Sequence, residues 1–135
     1  MSAQEHNLSY VYLRVAQTGH AILYIHTKRE DTLEVHLPPH LTRHVKRLVK
    51  RHQQCHTPAE RRLNGYISAK DFNAGPLSPK NLYNPKAYIY KTRRLIHLAA
   101  RAAGMTVRAE HIIVHENGKG YAINPDVDAD VDEST

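Results

Sequence analysis

The sequence predicts an α+β domain with an N-terminal antiparallel three-stranded sheet, three helices and a C-terminal β-hairpin. Three observations carry this. Residues 9–37 hold three short runs of alternating or β-branched residues separated by polar turns. Residues 40–104 show helical periodicity broken by proline and glycine. Asn117-Gly118 then lies between two short apolar runs, a strong local hairpin signal.

Each element has its own justification. Residues 1–8 are polar and predict a flexible N-terminus. In residues 9–17 (SYVYLRVAQ), Val11, Leu13 and Val15 share one face. Thr18-Gly19 turns the chain into a second run at 20–27, and KRED turns it into a third at 32–37, giving an antiparallel meander. Pro38-Pro39 ends that strand and opens a helix over 40–54. Its apolar stripe is Leu41, Val45, Leu48, Val49 and His52, with Arg43, Lys46, Arg47, Lys50 and Arg51 outward. Residues 55–65 read as a loop with room for a short turn. A second helix is expected from Ser68, where Asp71 completes a capping-box pattern and Phe72 comes next as a core anchor. Residues 74–85 contain three prolines and a glycine and predict a loop.

The third helix spans 84–104 (NPKAYIYKTRRLIHLAARAAG). Asn84 suits the N-cap, Pro85 the first position and Gly104 the stop. Tyr88, Ile89, Thr92, Leu95, Ile96, Ala99 and Ala103 form its apolar stripe. Extended segments are expected at 106–109 and 111–115, with the hairpin turn at 116–119 and a return strand at 120–123. Asn124-Pro125 ends the folded region, predicted to span 9–125. The acid-rich residues 126–135 predict a disordered tail, free to fold back on the basic third helix and weaken nonspecific binding.

Composition narrows the function classes. A chain of 135 residues suits one domain. The net charge is +6, but residues 1–125 hold all 19 Lys and Arg against only 8 of the 13 acids, a net +11. A body that basic favours polyanionic partners through counterion release. Cys55 is alone, which excludes an intramolecular disulfide and suits a reducing compartment. No apolar run reaches the roughly 18 residues of a spanning helix, and no signal peptide is evident, so no membrane role and a cytoplasmic, nucleoid-associated location are expected.

The wet side of the third helix gives the sharpest functional signal. It carries Lys86, Tyr90, Lys91, Arg93, Arg94, His97 and Arg101, with no carboxylate among them. A helix face needed only for solubility ordinarily mixes both signs; an all-cation face suits polyanion. Lys119 at the hairpin tip supplies a further candidate contact to phosphate or the minor groove.

A short capped helix, a loop, a basic helix and a glycine-tipped hairpin together make the plan of a winged helix-turn-helix. Leu37-Pro38-Pro39-His40-Leu41, the stretch from Gly65 to Phe72 (GYISAKDF), residues 90–98 and Gly118-Lys119-Gly120-Tyr121 resemble, in order, stretches of one family. It is the DNA-binding effector domain of the OmpR/PhoB (ToxR-like) transcription regulators, here without a receiver domain. The resemblance implies a sequence-specific binder of double-stranded DNA, with the third helix in the major groove and the hairpin as the wing. It implies no cofactor. A homodimer, and a protein partner through the loop 74–85, are further expectations.

Other chemistries fit less well. The sets His36, His40, His44 and His52, Cys55, His56 lack a CxxC or HExxH pattern, and Pro38-Pro39 interrupts the first; no metal site is expected. Cys55 has histidines near it but no sign of an oxyanion hole, so no catalytic residue and no enzyme activity are assigned. Two alternative readings remain. One is a protein-interaction adaptor on a winged-helix fold. The other is an RNA or single-strand binder, favoured if Tyr10, Tyr12 and Tyr24 lie exposed on one sheet face.

Overall fold

A computed structural model describes residues 7–68, 70–71 and 85–133. Of the expected flexible segment 1–8, residues 1–6 lie outside them, as do most of the helix expected from Ser68, the loop 74–84 and the Asn84 cap; Leu8 is instead buried at the start of the first strand. The order is β1 (Leu8–Val15), β2 (Ala21–Thr27), β3 (Thr32–Leu37), α1 (Pro39–Gln53), α2 (Pro58–Asn64) and α3 (Pro85–Ala103). A single 3-10 turn at Ala109–His111 precedes β4 (Ile113–Glu116), β5 (Gly120–Ile123) and β6 (Asp128–Glu133).

The first three strands form the expected antiparallel meander. Strand side chains alternate between faces, so Val11, Leu13, Leu23, Ile25, Val35 and Leu37 all turn inward and are buried. Pro39 occupies the first turn of α1, where a missing N–H costs nothing. The Pro38 carbonyl accepts from the Thr42 N–H at 2.9 Å and from its hydroxyl at 3.0 Å, closing that turn. Val45, Leu48 and Val49 then join the core that the sheet's inner face builds, and Leu41 and His52 of the same stripe are also buried.

The loop expected at 55–65 is corrected: it contains α2. Thr57 caps this helix by accepting from the Glu60 N–H at 3.1 Å, and Pro58 sits in its first turn. None of its residues is buried, so no apolar stripe announces it. Ser68 does act as a cap, its hydroxyl accepting from the Asp71 N–H at 3.1 Å. Residues 106–109 do not form the expected strand; the chain instead passes into the 3-10 turn, burying Val107 and Ala109.

The end of the chain gives the largest correction. Residues 128–133, expected to be disordered, form β6, which pairs in parallel with β1 from Tyr10↔Asp128 to Val15↔Glu133. The sheet order is therefore β3-β2-β1-β6. Buried Val127 leads the strand in, and Ala129 and Val131 pack on the core. The acids gain cationic neighbours. Glu133 lies 3.2 and 3.0 Å from the Lys46 and Lys50 ammoniums, Asp126 lies 2.6 Å from Arg62, and Asp128 lies 3.6 Å from Arg61. Each such surface pair contributes little alone; together they remove the self-repulsion that made this segment read as unfolded. Among the described residues, the ion pairs of this segment go to α1 and α2, not to the third helix expected to receive the tail.

Asn124 turns the chain between the two sheets. Its amide donates to the His111 carbonyl at 2.7 Å while its side-chain oxygen accepts from the Asp126 N–H at 2.9 Å. The result is an α+β fold in which α1, α3 and the β4–β5 hairpin share one core with the inner face of the sheet.

Candidate nucleic-acid interface

Helix α3 buries Ile89, Thr92, Ile96 and Ala100, recurring at helical spacing, with Leu95 and Ala99 partly covered. The buried Thr92 hydroxyl is satisfied by donating to the Tyr88 carbonyl at 2.9 Å. The stop is the one the sequence predicts. Gly104 takes φ +67°, its N–H bonds the Arg101 carbonyl at 3.1 Å, and Met105 N–H bonds the Ala100 carbonyl at 2.9 Å. These paired bonds make a Schellman end and fix where the helix leaves the core.

With that side buried, Lys86, Tyr90, Arg94, His97 and Arg101 fall in one exposed stripe, flanked by Lys91. Tyr90 is 64% exposed, and so is nearly half of Leu98, an apolar member that charge arguments overlook. The Lys91 ammonium lies 5.7 Å over the Tyr88 ring. None of the ion pairs among the described residues involves Lys86, Lys91, Arg94 or Arg101. The cations that are paired belong to α1, α2 and the hairpin.

Arg93 lies apart from the exposed stripe. Its guanidinium donates to the Ile113 carbonyl at 2.7 Å and lies 5.9 Å over the Tyr121 ring, on the hairpin side of the helix. It fastens β4–β5 to α3. One residue of helical rotation, about 100°, separates it from exposed Arg94.

The hairpin turns as expected, with Gly118 at φ +84° and the Lys119 N–H bonding the Glu116 carbonyl at 3.0 Å. Lys119 does not project freely. Its ammonium donates to the Arg62 carbonyl at 2.9 Å, pairs with Glu116 at 2.9 Å and lies 5.6 Å over the Tyr66 ring. Gly120 has a separate role. It takes φ +107°, and a Cβ there would overlap the Ile67 carbonyl and approach Ser68 Cα to 2.7 Å. Only glycine admits the reciprocal bonds between Ile67 and Tyr121, at 2.8 and 3.0 Å, that tie the hairpin to the segment capping at Ser68.

His44, His52 and Cys55 are buried. His44 is buried beside the Tyr88 ring, with centroids 4.6 Å apart, and its Nδ1 lies 2.9 Å from the His40 carbonyl. Burial, with Arg47 and Arg43 nearby, pushes its pKa down to about 4. His52 is buried and held below the usual imidazole range, by burial first and then by Arg61. Cys55 is buried and its thiol is pushed up, again by burial, which disfavours thiolate. Among the described residues no three His, Cys, Asp or Glu side chains converge as a metal site.

Tyr10, Tyr12 and Tyr24 do share the outer face of the sheet, half-buried and stacked, with centroids 6.3 Å apart for Tyr10–Tyr12 and 5.9 Å for Tyr12–Tyr24. The Tyr10 hydroxyl donates to Asp130 at 3.2 Å and the Tyr12 hydroxyl to Asp132 at 3.0 Å. This ring platform is therefore bordered by carboxylates. Among the described residues no helix is long and apolar enough to cross a membrane. Comparison with protein-family models, with curated proteins and with solved structures finds no match to the chain.

Proposed function

We propose that this chain is a double-stranded DNA-binding regulator of transcription that works in the manner of a winged helix-turn-helix, with α3 in the major groove. One observation carries the reading: the exposed stripe of α3 presents Lys86, Tyr90, Arg94, His97 and Arg101 without a carboxylate, flanked by Lys91. The contrast with the rest of the surface supports it. Lys46 and Lys50 on α1 and Arg61 and Arg62 on α2 are paired with β6 and the residues leading into it, whereas none of the ion pairs among the described residues involves Lys86, Lys91, Arg94 or Arg101. A helix of 19 residues is about 28 Å long, enough to lie along a groove and touch phosphates on both rims.

In this reading Arg94, with its neighbours one turn away, addresses base edges, where guanidinium matches guanine O6 and N7. Lys86, Lys91 and Arg101 hold phosphates. Exposed Leu98 suits a thymine methyl. Arg93 positions the hairpin rather than touching DNA. Lys119 reaches a phosphate only by exchanging its present partners for it. Two copies on adjacent half-sites would compensate for the small area of a single module, and the cell compartment this implies is the nucleoid.

The test is equilibrium binding of the full chain to a random 20-base-pair duplex, the matching single strand and an RNA of equal length. The reading expects the duplex to bind most tightly, by about tenfold or more. Equal or better binding to single strands would overturn it. The tyrosine platform is the feature that favours a single-strand reading, but Asp130 and Asp132 beside the rings repel phosphate. That face suits a different partner.

A further inference from the structure

The outer face of the four-stranded sheet carries Glu34, Asp128, Asp130 and Asp132 against one strand cation, Arg14, with Arg61 lying 3.6 Å from Asp128 and the Gln53 amide donating to Asp130 at 2.7 Å at its edge. The strand register places Tyr24 and Tyr12 side by side between Glu34 on β3 and Asp130 on β6. One row along, His26 and Tyr10 stack at 5.5 Å and Asp128 lies beside Tyr10. The phenols of Tyr10 and Tyr12 are tethered to Asp130 and Asp132, so both rings are ordered before any partner arrives. The Tyr10 phenol is pushed up to about 12, by burial first and then by the Asp130 carboxylate beside it.

Ordered aromatic faces next to carboxylates attract cations twice, through the ring quadrupole and through direct charge. The spacing matches a polypeptide. Alternate side chains of an extended strand recur every ~6.6 Å, and the Tyr10 and Tyr12 rings, successive on this face of β1, stand 6.3 Å apart, with Tyr24 beside Tyr12 on the next strand. We infer that this face docks an extended, arginine- or lysine-bearing segment of a partner protein, its cations over Tyr10, Tyr12 and Tyr24 and against Asp128, Asp130 and Asp132. The site is separate from α3, so a chain held on DNA by its basic helix still offers an acidic aromatic surface to a second protein.

The experiment uses the isotopically labelled full chain and a synthetic eight-residue peptide of alternating arginine and serine. Two further probes are the same peptide with glutamate for arginine, and an oligouridylate. The arginine peptide is expected to shift the ring resonances of Tyr10, Tyr12 and Tyr24 and the amides of β6 saturably; the glutamate peptide is not. Asp128→Asn/Asp130→Asn/Asp132→Asn should weaken the arginine peptide about tenfold or more, the loss expected when charge-assisted hydrogen bonds go. Tyr24→Ser, which leaves β6 and its hydrogen bonds alone, should weaken it about threefold or more. Duplex DNA binding should persist in both variants. The inference is overturned if the arginine peptide shifts other regions, or if neither variant changes its affinity. It is equally overturned if oligouridylate moves the rings and the arginine peptide does not, or if the rings shift with chain concentration alone, which would assign the face to a second copy.

Discussion

Gly120 and Gly118 both have positive φ, yet the structure predicts very different costs for replacing them. At Gly118 (φ +84°) an added Cβ meets nothing within 4 Å. Gly118→Ala should therefore cost only the left-handed backbone penalty, about 1–2 kcal/mol. At Gly120 the same penalty applies, and the new methyl also overlaps the Ile67 carbonyl. Relief requires the hairpin to move off Ile67, which breaks the two reciprocal bonds at 2.8 and 3.0 Å, each contributing about 1 kcal/mol. Gly120→Ala should thus cost about 3–4 kcal/mol, lowering Tm by roughly 10–15 °C in a domain of this size. Urea denaturation monitored by far-ultraviolet circular dichroism measures both. Equal losses within about 0.5 kcal/mol would refute the argument that the second glycine of Gly118-Lys119-Gly120 exists for close backbone approach.

Three other outcomes are expected from the same structure. Arg93→Ala should destabilise by about 1.5–3 kcal/mol by removing a charged hydrogen bond to the Ile113 carbonyl, while Arg94→Ala should stay within about 0.5 kcal/mol in the same denaturation assay. Stability should fall as pH drops from about 6.5 toward 4: the unfolded chain protonates His44 before the folded one does, so the stabilisation is present above the unfolded pKa and lost on acidification. The shift to about 4 corresponds to about 3 kcal/mol, and His44→Gln should flatten the pH dependence by up to that amount, with His52 contributing in the same direction. Ending the chain at Pro125 should cost more than about 2 kcal/mol, because it removes buried Val127 and a whole strand; a truncated chain as stable as the full one would show that β6 is dispensable.

What the sequence disclosed, and what it hid, depends on where the free energy resides. The meander, α1, α3 and the hairpin each bury an apolar stripe or carry strong turn chemistry, and all four lie where periodicity puts them. Helix α2 buries nothing, so only Thr57, Pro58 and Glu60 advertised it, a capping signal without a stripe. β6 was hidden by its charge. Yet Asp128, Asp130 and Asp132 alternate with Ala129 and Val131 at the period of a strand, and the cations that neutralise this segment lie 64 or more residues away in sequence. Arg93 and Arg94 are adjacent and chemically identical; which one faces the hairpin depends on a rotation of α3 that the apolar stripe fixes only to within a residue. The placement of Lys119 needed Arg62 and Tyr66, whose positions depend on the unforeseen α2.

The central claim is that the exposed face of α3 holds duplex DNA. Its most direct test is the salt dependence of duplex binding for the full chain and for Lys91→Ala/Arg94→Ala/Arg101→Ala, three residues that form none of the described ion pairs. Removing one cation from a phosphate should lower the slope of log affinity against log salt by about 0.9. The account predicts a slope shallower by about 2–3 in the variant, with weaker binding at low salt and unchanged Tm. An unaltered slope and affinity, with the fold intact, would contradict it.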